Sequence, residues 1–416
     1  MVRRLVPLAW IILLALTACA PEAIEIPTVV LLPTVPPEQA ATQTAAAYAT
    51  SIAPPTLPPT WTPSPSPAWS PTSEALPPAG GPVSAARGRF IFVADGAIQA
   101  VNADGTGLTT LTPALAASDL TLAPDRQTLA FAAAGPNRAR ELFVLELASG
   151  VARQVTWLGM EIVVDPAWHP DGDRLVFAAG QGDGARQVYT VRPDGQDLTQ
   201  VTALPARDPD ATPDGSAAEG GSPLTAVGLS DPIFTPDGGG IIFAAPSLAM
   251  VDLATGDVTP LTIGSGWGND ASPRWRPGTT QLVYIRPLQG ERFGGPLHSF
   301  DLNTLAGESV PPVLVDLPIQ QFAFSRDGRY LAMASGTSVQ LMDFTLRAAR
   351  ELTDTGDVLP SVAINRDGSR IAYIGGSITG GKTPQLIIAG RSGRDRWAVI
   401  DLTAQSLSDL LWIETE

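Results

Sequence analysis

Four aspartates recur at one position of an internally repeated segment: Asp119, Asp165, Asp231 and Asp409. Three further copies carry Ser272, Gln321 and Ser361 there. Converging carboxylates are hard oxygen ligands, so the set suits a calcium ion or a basic group of a ligand. Paired carboxylates also suffice for acid–base chemistry of the lyase or glycosidase kind. The competing use is structural. An aspartate at the start of a strand caps its own turn through a local hydrogen bond, and residue type alone favours that use.

Other chemistry is sparse. The only histidines are His169 and His298, and the only cysteine is Cys19. These counts rule out a histidine-rich zinc site or a disulfide framework within one chain. No Gly-x-Ser-x-Gly elbow joined to a hydrolase domain follows the repeats. His169 falls at a variable repeat position, filled elsewhere by Ala123, Thr235 and Ser325, and therefore reads as structural. A second acidic cluster, Asp208, Asp210 and Asp214, lacks the spacing of a calcium-binding loop. Trp157 and Trp267 fall in loops, where an aromatic face can stack on a sugar or peptide. The formal charge is −15 with Lys382 as the only lysine, which argues against a nucleic-acid partner. No cofactor is expected; calcium at the aspartate set is the one ion that the residues bring into consideration.

The elements that must position these residues are visible as a repeat. Its clearest copy is Asp165-Pro-Ala-Trp-His-Pro-Asp-Gly-Asp-Arg-Leu-Val-Phe177. Related segments start at Asp119, Asp231, Ser272, Gln321 and Ser361. Each reads as strand, tight turn, strand, with Asp-Gly supplying the positive φ that a short hairpin needs. A third alternating segment follows, such as Gln187–Val191, and then a fourth ending in Leu-Thr or Val-Thr, as at Thr156, Thr202, Thr262 and Thr353. Four antiparallel strands per unit of about forty residues is the pattern of propeller blades.

This repeat resembles the WD40-like propeller repeat of the TolB family over most of Arg89 to Trp412. The resemblance implies an all-β propeller. No segment matches the N-terminal α/β domain of TolB, so the resemblance does not extend to a role in that protein's envelope machine.

Six anchors, at Asp125, Asp171, Asp237, Gly278, Asp327 and Asp367, mark six units. A seventh is split. Arg89–Val93, Ile98–Val101 and Thr109–Thr112 look like the last three strands of a blade, and Ser408–Ile413 supplies the missing first one. Asp409 and Trp412 repeat the spacing of Asp165 and Trp168. The expected fold is a seven-bladed propeller closed by the C-terminal strand, with six blades as the alternative. Trp168, Trp275 and Trp412 share one repeat position and are expected to pack between blades.

The first fifth of the chain reads differently. Met1-Val-Arg-Arg4 is basic, Leu5–Leu16 is apolar and too short to span a bilayer, and Leu16-Thr-Ala-Cys19 resembles the lipobox of bacterial lipoproteins. The resemblance implies a signal peptide over 1–18 and acylation of Cys19. From there to residue 86 the chain is rich in Pro, Thr and Ala, as in Pro33–Pro37 and Ala53–Thr60, and is expected to be a disordered tether. Fully extended, it would reach on the order of 200 Å at about 3.1 Å per residue. The propeller is expected over 87–416, outside the cytoplasm and held to the membrane by the lipid.

Strand order places the turns after first and third strands on one face of the disc. Connections after second strands and between blades lie on the other. The long segments Ala203–Gly228, Gly264–Ala271, Arg286–Pro296 and Gly375–Pro384 all fall on that second face, where binding loops are expected. The functional expectation is a binding or scaffold module for a protein, peptide or glycan of the envelope. The alternative is a carboxylate-based carbohydrate-active hydrolase or lyase at the channel mouth.

Overall fold

A computed structural model describes residues 88–414, apart from segments at 183–185, 206–227, 246, 263–269, 288–293, 305–312, 337, 355–357, 376–382 and 394. Among the described residues there are seven four-stranded antiparallel sheets, arranged in a ring as a β-propeller. The count is therefore seven, not six.

Blade 1 is the split one. Its inner strand is Leu407–Ile413, followed by Arg89–Ala94, Ala97–Asn102 and Thr109–Thr110. Phe90 pairs with Trp412 and Ile91 with Leu411, so the two chain ends close the ring as expected. The inner strands of blades 2 to 7 are Ser118–Leu122, Ile162–Trp168, Ser230–Phe234, Ala271–Trp275, Gln321–Phe324 and Val358–Ile364.

The core is a set of layers between blades. Each second strand is apolar on both faces because a neighbouring blade covers each of them; Leu129–Ala133 and Leu175–Gly180 are fully buried. Seven apolar clusters occupy the seven junctions. Phe131 and Phe143 of blade 2 pack with Ile91 and Ile98 of blade 1, and Phe90 and Phe92 pack with Ala372 and Ile374 of blade 7. The repeated tryptophans tie these layers together: Trp168 Nε1 donates to the Thr121 carbonyl at 3.2 Å, and Trp275 Nε1 to that of Phe234 at 2.7 Å. Trp412 instead packs at a tilt against Phe90 of its own blade, ring centres 4.8 Å apart.

Two sequence signatures find their causes here. The Asp-Gly turns place glycine at positive φ, and the aspartate caps the turn: Asp237 Oδ1 accepts the Gly239 N–H at 3.1 Å and Asp327 Oδ1 that of Arg329 at 3.0 Å. At Gly238 close approach adds a second demand, since a Cβ there would lie 2.1 Å from His169 Nε2. The recurrent terminal threonine is a lock within the blade. Thr156, Thr202 and Thr262 Oγ1 accept third-strand N–H groups at 2.9 Å and donate to Glu141, Gln187 and Asp270. Turns after first and third strands are short, except in blade 5, where residues 302–312 separate Gly295–Asp301 from Val313–Ile319.

Candidate functional site: the channel and its aspartates

The aspartates do not open the inner strands; they sit in β-bulges within them. In blade 2 Ser118 pairs with Ala132 and Thr121 with Ala130, so Asp119 and Leu120 together face one partner residue. The same skip occurs at Asp165, Asp231, Ser272 and Asp409. All five residues are left-handed, with φ of 58°, 54°, 49°, 50° and 55° for Asp119, Asp165, Asp231, Ser272 and Asp409. Aspartate tolerates this region better than most residues because its short polar side chain bonds locally. Gln321 pairs regularly with Ala334, so blade 6 carries no bulge there.

Side chains at this position reach the neighbouring blade, whether or not the strand is bulged there. Asp165 Oδ2 accepts the backbone N–H of Asp231 at 3.0 Å, Gln321 Oε1 that of Val362 at 2.7 Å, and Ser361 Oγ that of Leu410 at 2.9 Å. Backbone N–H groups of Asp165 and of Asp119 are likewise directed at Asp119 and Asp409. Three junctions are thus bonded around the axis, and at two more an aspartate faces its neighbour's backbone N–H. Local bonds are present too: the hydroxyls of Ser118, Ser230 and Ser408 donate to the adjacent carboxylates at 2.8, 3.1 and 2.6 Å. These local bonds come from the preceding serine hydroxyls, while the longer reach joins one blade to the next.

The arc is electrostatically strained. Burial pushes the Asp165 carboxyl well above the usual carboxylate range, and the charges of Asp231 and Asp119 push the same way. Asp119 and Asp409 are raised for the same first reason, burial, with their acidic neighbours adding to it. Arg140, 4.0 Å from Asp119, and Arg186 near Asp165 oppose the shift. Among the described residues, no group of three or more His, Cys, Asp or Glu side chains is disposed to hold a metal ion.

These four aspartates line one cavity of about 770 Å³. Two residues beyond the arc its wall carries Thr121, Ala167, Ile233 and Leu411, but Arg274 in blade 5. Trp168, Trp275 and Arg276 also line it. Arg274 is exposed, and its recorded bond is to its neighbour's carbonyl, that of Pro273, at 3.3 Å. The cavity therefore offers carboxylates and a guanidinium to one occupant.

Other sequence candidates lie elsewhere. Trp157 is half exposed, lies against Gly195 in a hairpin turn of blade 3, and does not line the cavity. Trp267, Cys19 and the cluster Asp208, Asp210 and Asp214 lie outside the described residues. His169 Nδ1 accepts the Asp171 N–H at 3.2 Å, a turn-capping position.

One group escaped the sequence reading. Asp270 is fully buried two residues before Ser272, 3.5 Å from Arg286, and bonded to Thr262. Burial pushes its carboxyl up to about 6, against the opposing charge of Arg286. Tyr284 and His298 pack beside one another in the same blade, and burial raises the Tyr284 hydroxyl. The available signal was an acid where other copies carry Ala117, Val163 and Leu229.

No family model matches the chain, and no curated protein matches it. Solved structures do. A functionally unknown protein from Desulfotomaculum acetoxidans is 12% identical, with 79% of this chain and 99% of that one covered, at a TM-score of 0.54. An oligogalacturonate lyase in complex with manganese is 13% identical over 78% of this chain and 86% of that one, at 0.52. TolB from Acinetobacter baumannii is 16% identical over 78% and 66%, at 0.45. At these identities the similarity is one of fold.

Proposed function

We propose that this protein is an extracytoplasmic lipoprotein, anchored through Cys19, whose propeller is a binding and scaffold module for a protein, peptide or glycan of the cell envelope. The observation that carries the reading is the channel cavity, where the carboxylates of Asp119, Asp165, Asp231 and Asp409 and the guanidinium of Arg274 line one space. A volume of about 770 Å³ falls within the usual range of ligand pockets. A ligand placing a cationic group at the arc would relieve the mutual repulsion of the aspartates, and an acidic group on it would meet Arg274.

The alternative, hydrolase or lyase chemistry, draws on the raised carboxyl of Asp165. It ranks second because that carboxylate is already engaged by the Asp231 N–H, which makes it a part of the ring's construction.

The test is a screen of the purified chain against peptide and glycan arrays, repeated with Arg274→Ala. A ligand retained by the parent and lost by the variant supports the reading. Ligands bound equally by both would place recognition outside the channel, and turnover of a bound glycan would favour the enzyme.

A further inference from the structure

Blades 6 and 7 frame a second groove, of about 390 Å³, that shares no lining residue with the channel cavity. Three arginines converge on it: Arg329 beside the turn of blade 6, Arg350 on that blade's outer strand Ala348–Asp354, and Arg391 in a turn of blade 7. They are arranged around a fixed aromatic. Tyr330 is 4% exposed and packs so closely on Gly368 that a Cβ there would lie 2.2 Å from its ring. The guanidinium of Arg329 lies 5.0 Å from the Tyr330 ring centre and that of Arg391 4.9 Å. Arg391 donates to the Tyr330 hydroxyl, and Arg350 to the Arg391 carbonyl.

The charges do not balance. Asp343 pairs with Arg329 at 3.3 Å and, among the described residues, is the one carboxylate lining the groove. Among the described residues, Arg350 and Arg391 have only neutral acceptors, a carbonyl and a phenol. A guanidinium has five donors in a planar fork, so most of theirs remain available. The setting is unusual for this chain: ten cationic and seven anionic side chains lie between Arg326 and Arg396, in a protein of net charge −15. Like charges held together repel, and a bound anion relieves that repulsion while filling the forks in bidentate geometry.

We infer that this groove is an oxyanion site, binding a carboxylate or phosphate carried on a small molecule of about monosaccharide size. Arg350 and Arg391 grip the oxyanion. The contacts to Tyr330 hold Arg391 in place beforehand, so less conformational freedom is lost on binding. Leu346, 72% exposed, lines the groove and offers an apolar contact to the rest of the ligand.

Calorimetric titration of the purified full chain with inorganic phosphate, glucuronate and neutral glucose tests the assignment. Phosphate or glucuronate should bind and glucose should not. Binding of phosphate alone would identify a phosphate ester as the ligand class, and of glucuronate alone an acidic saccharide. Arg350→Gln should weaken binding about tenfold, the usual effect of losing one charged hydrogen bond. Arg350→Lys should fall between the two, keeping the charge without the fork. Arg153→Gln, on the outer strand of blade 2, should bind as the parent does. Silence of both anions, or unchanged affinity in both Arg350 variants with native circular dichroism, would overturn the assignment.

Discussion

Buried carboxylates make the propeller's stability fall as pH rises from about 4 toward neutrality. Asp270 gives the clearest magnitude: its carboxyl is shifted from 3.8 to about 6 in the folded chain. The folded state therefore holds this proton more tightly than the unfolded chain does. Its contribution is fully present below pH 3.8 and is lost as pH rises through about 6. At about 1.4 kcal/mol per pH unit, the loss is on the order of 3 kcal/mol. Asp119, Asp165 and Asp409 act in the same direction. Asp237, Asp327 and Asp367, which cap exposed turns, are shifted downward and lose stability only as pH falls below 3.8. The maximum should therefore lie near pH 4. Of the Asp270 contribution, about 1.4 kcal/mol is still present at pH 5, so scanning calorimetry of the purified chain should show a Tm about 3 °C lower at pH 8 than at pH 5 from this group alone, using about 2 °C per kcal/mol for a large domain. Asp270→Asn removes the titrating carboxyl, which is the charged partner of Arg286 only above about pH 6, and should flatten the fall above pH 5. A Tm that rises from pH 5 to pH 8, or an equal slope in the variant, would refute the reasoning.

Other expectations follow from single contacts. Gly238→Ala should cost more than about 1 kcal/mol in urea unfolding, through positive φ and collision with His169, and His169→Ala should recover part of it. Deleting residues 407–416 removes the inner strand of blade 1 and exposes Phe90 and Ile91, so the product should fail to give a cooperative calorimetric transition. Cys19→Ser should move the chain from the membrane to the soluble fraction of its host, as read by immunoblot; retention in the membrane would remove the proposed anchor.

The ring was legible because each blade repeats the same demands. Positive φ at the turn, a terminal threonine and an inter-blade tryptophan recur at fixed spacing, and Asp409 with Trp412 betrayed the strand that closes blade 1. The bulges were not read, because hydrophobic alternation carries no mark of a single left-handed residue. A sign was nonetheless present: Pro166, Pro232 and Pro273 directly follow the bulged residue. Proline within an inner strand belongs at a bulge, where its missing N–H breaks no ladder bond. The arc itself was found, but its stapling role depends on side chains crossing between blades, which no local pattern reports. Asp270 and the arginine groove stayed hidden for a related reason. Asp270 meets Arg286 across the first hairpin of blade 5, next to the Ala271–Ile285 pair, and Arg391 meets Arg350 only because the ring sets blade 7 beside blade 6.

The most direct test of the channel as the binding site is a photoreactive residue placed at position 121, where Thr121 lines the cavity, compared with one at position 153 on the outer strand of blade 2. With the array-selected ligand, cross-linking should occur at 121, be competed by unlabelled ligand, and be absent at 153. Cross-linking at 153 with none at 121 would contradict the account.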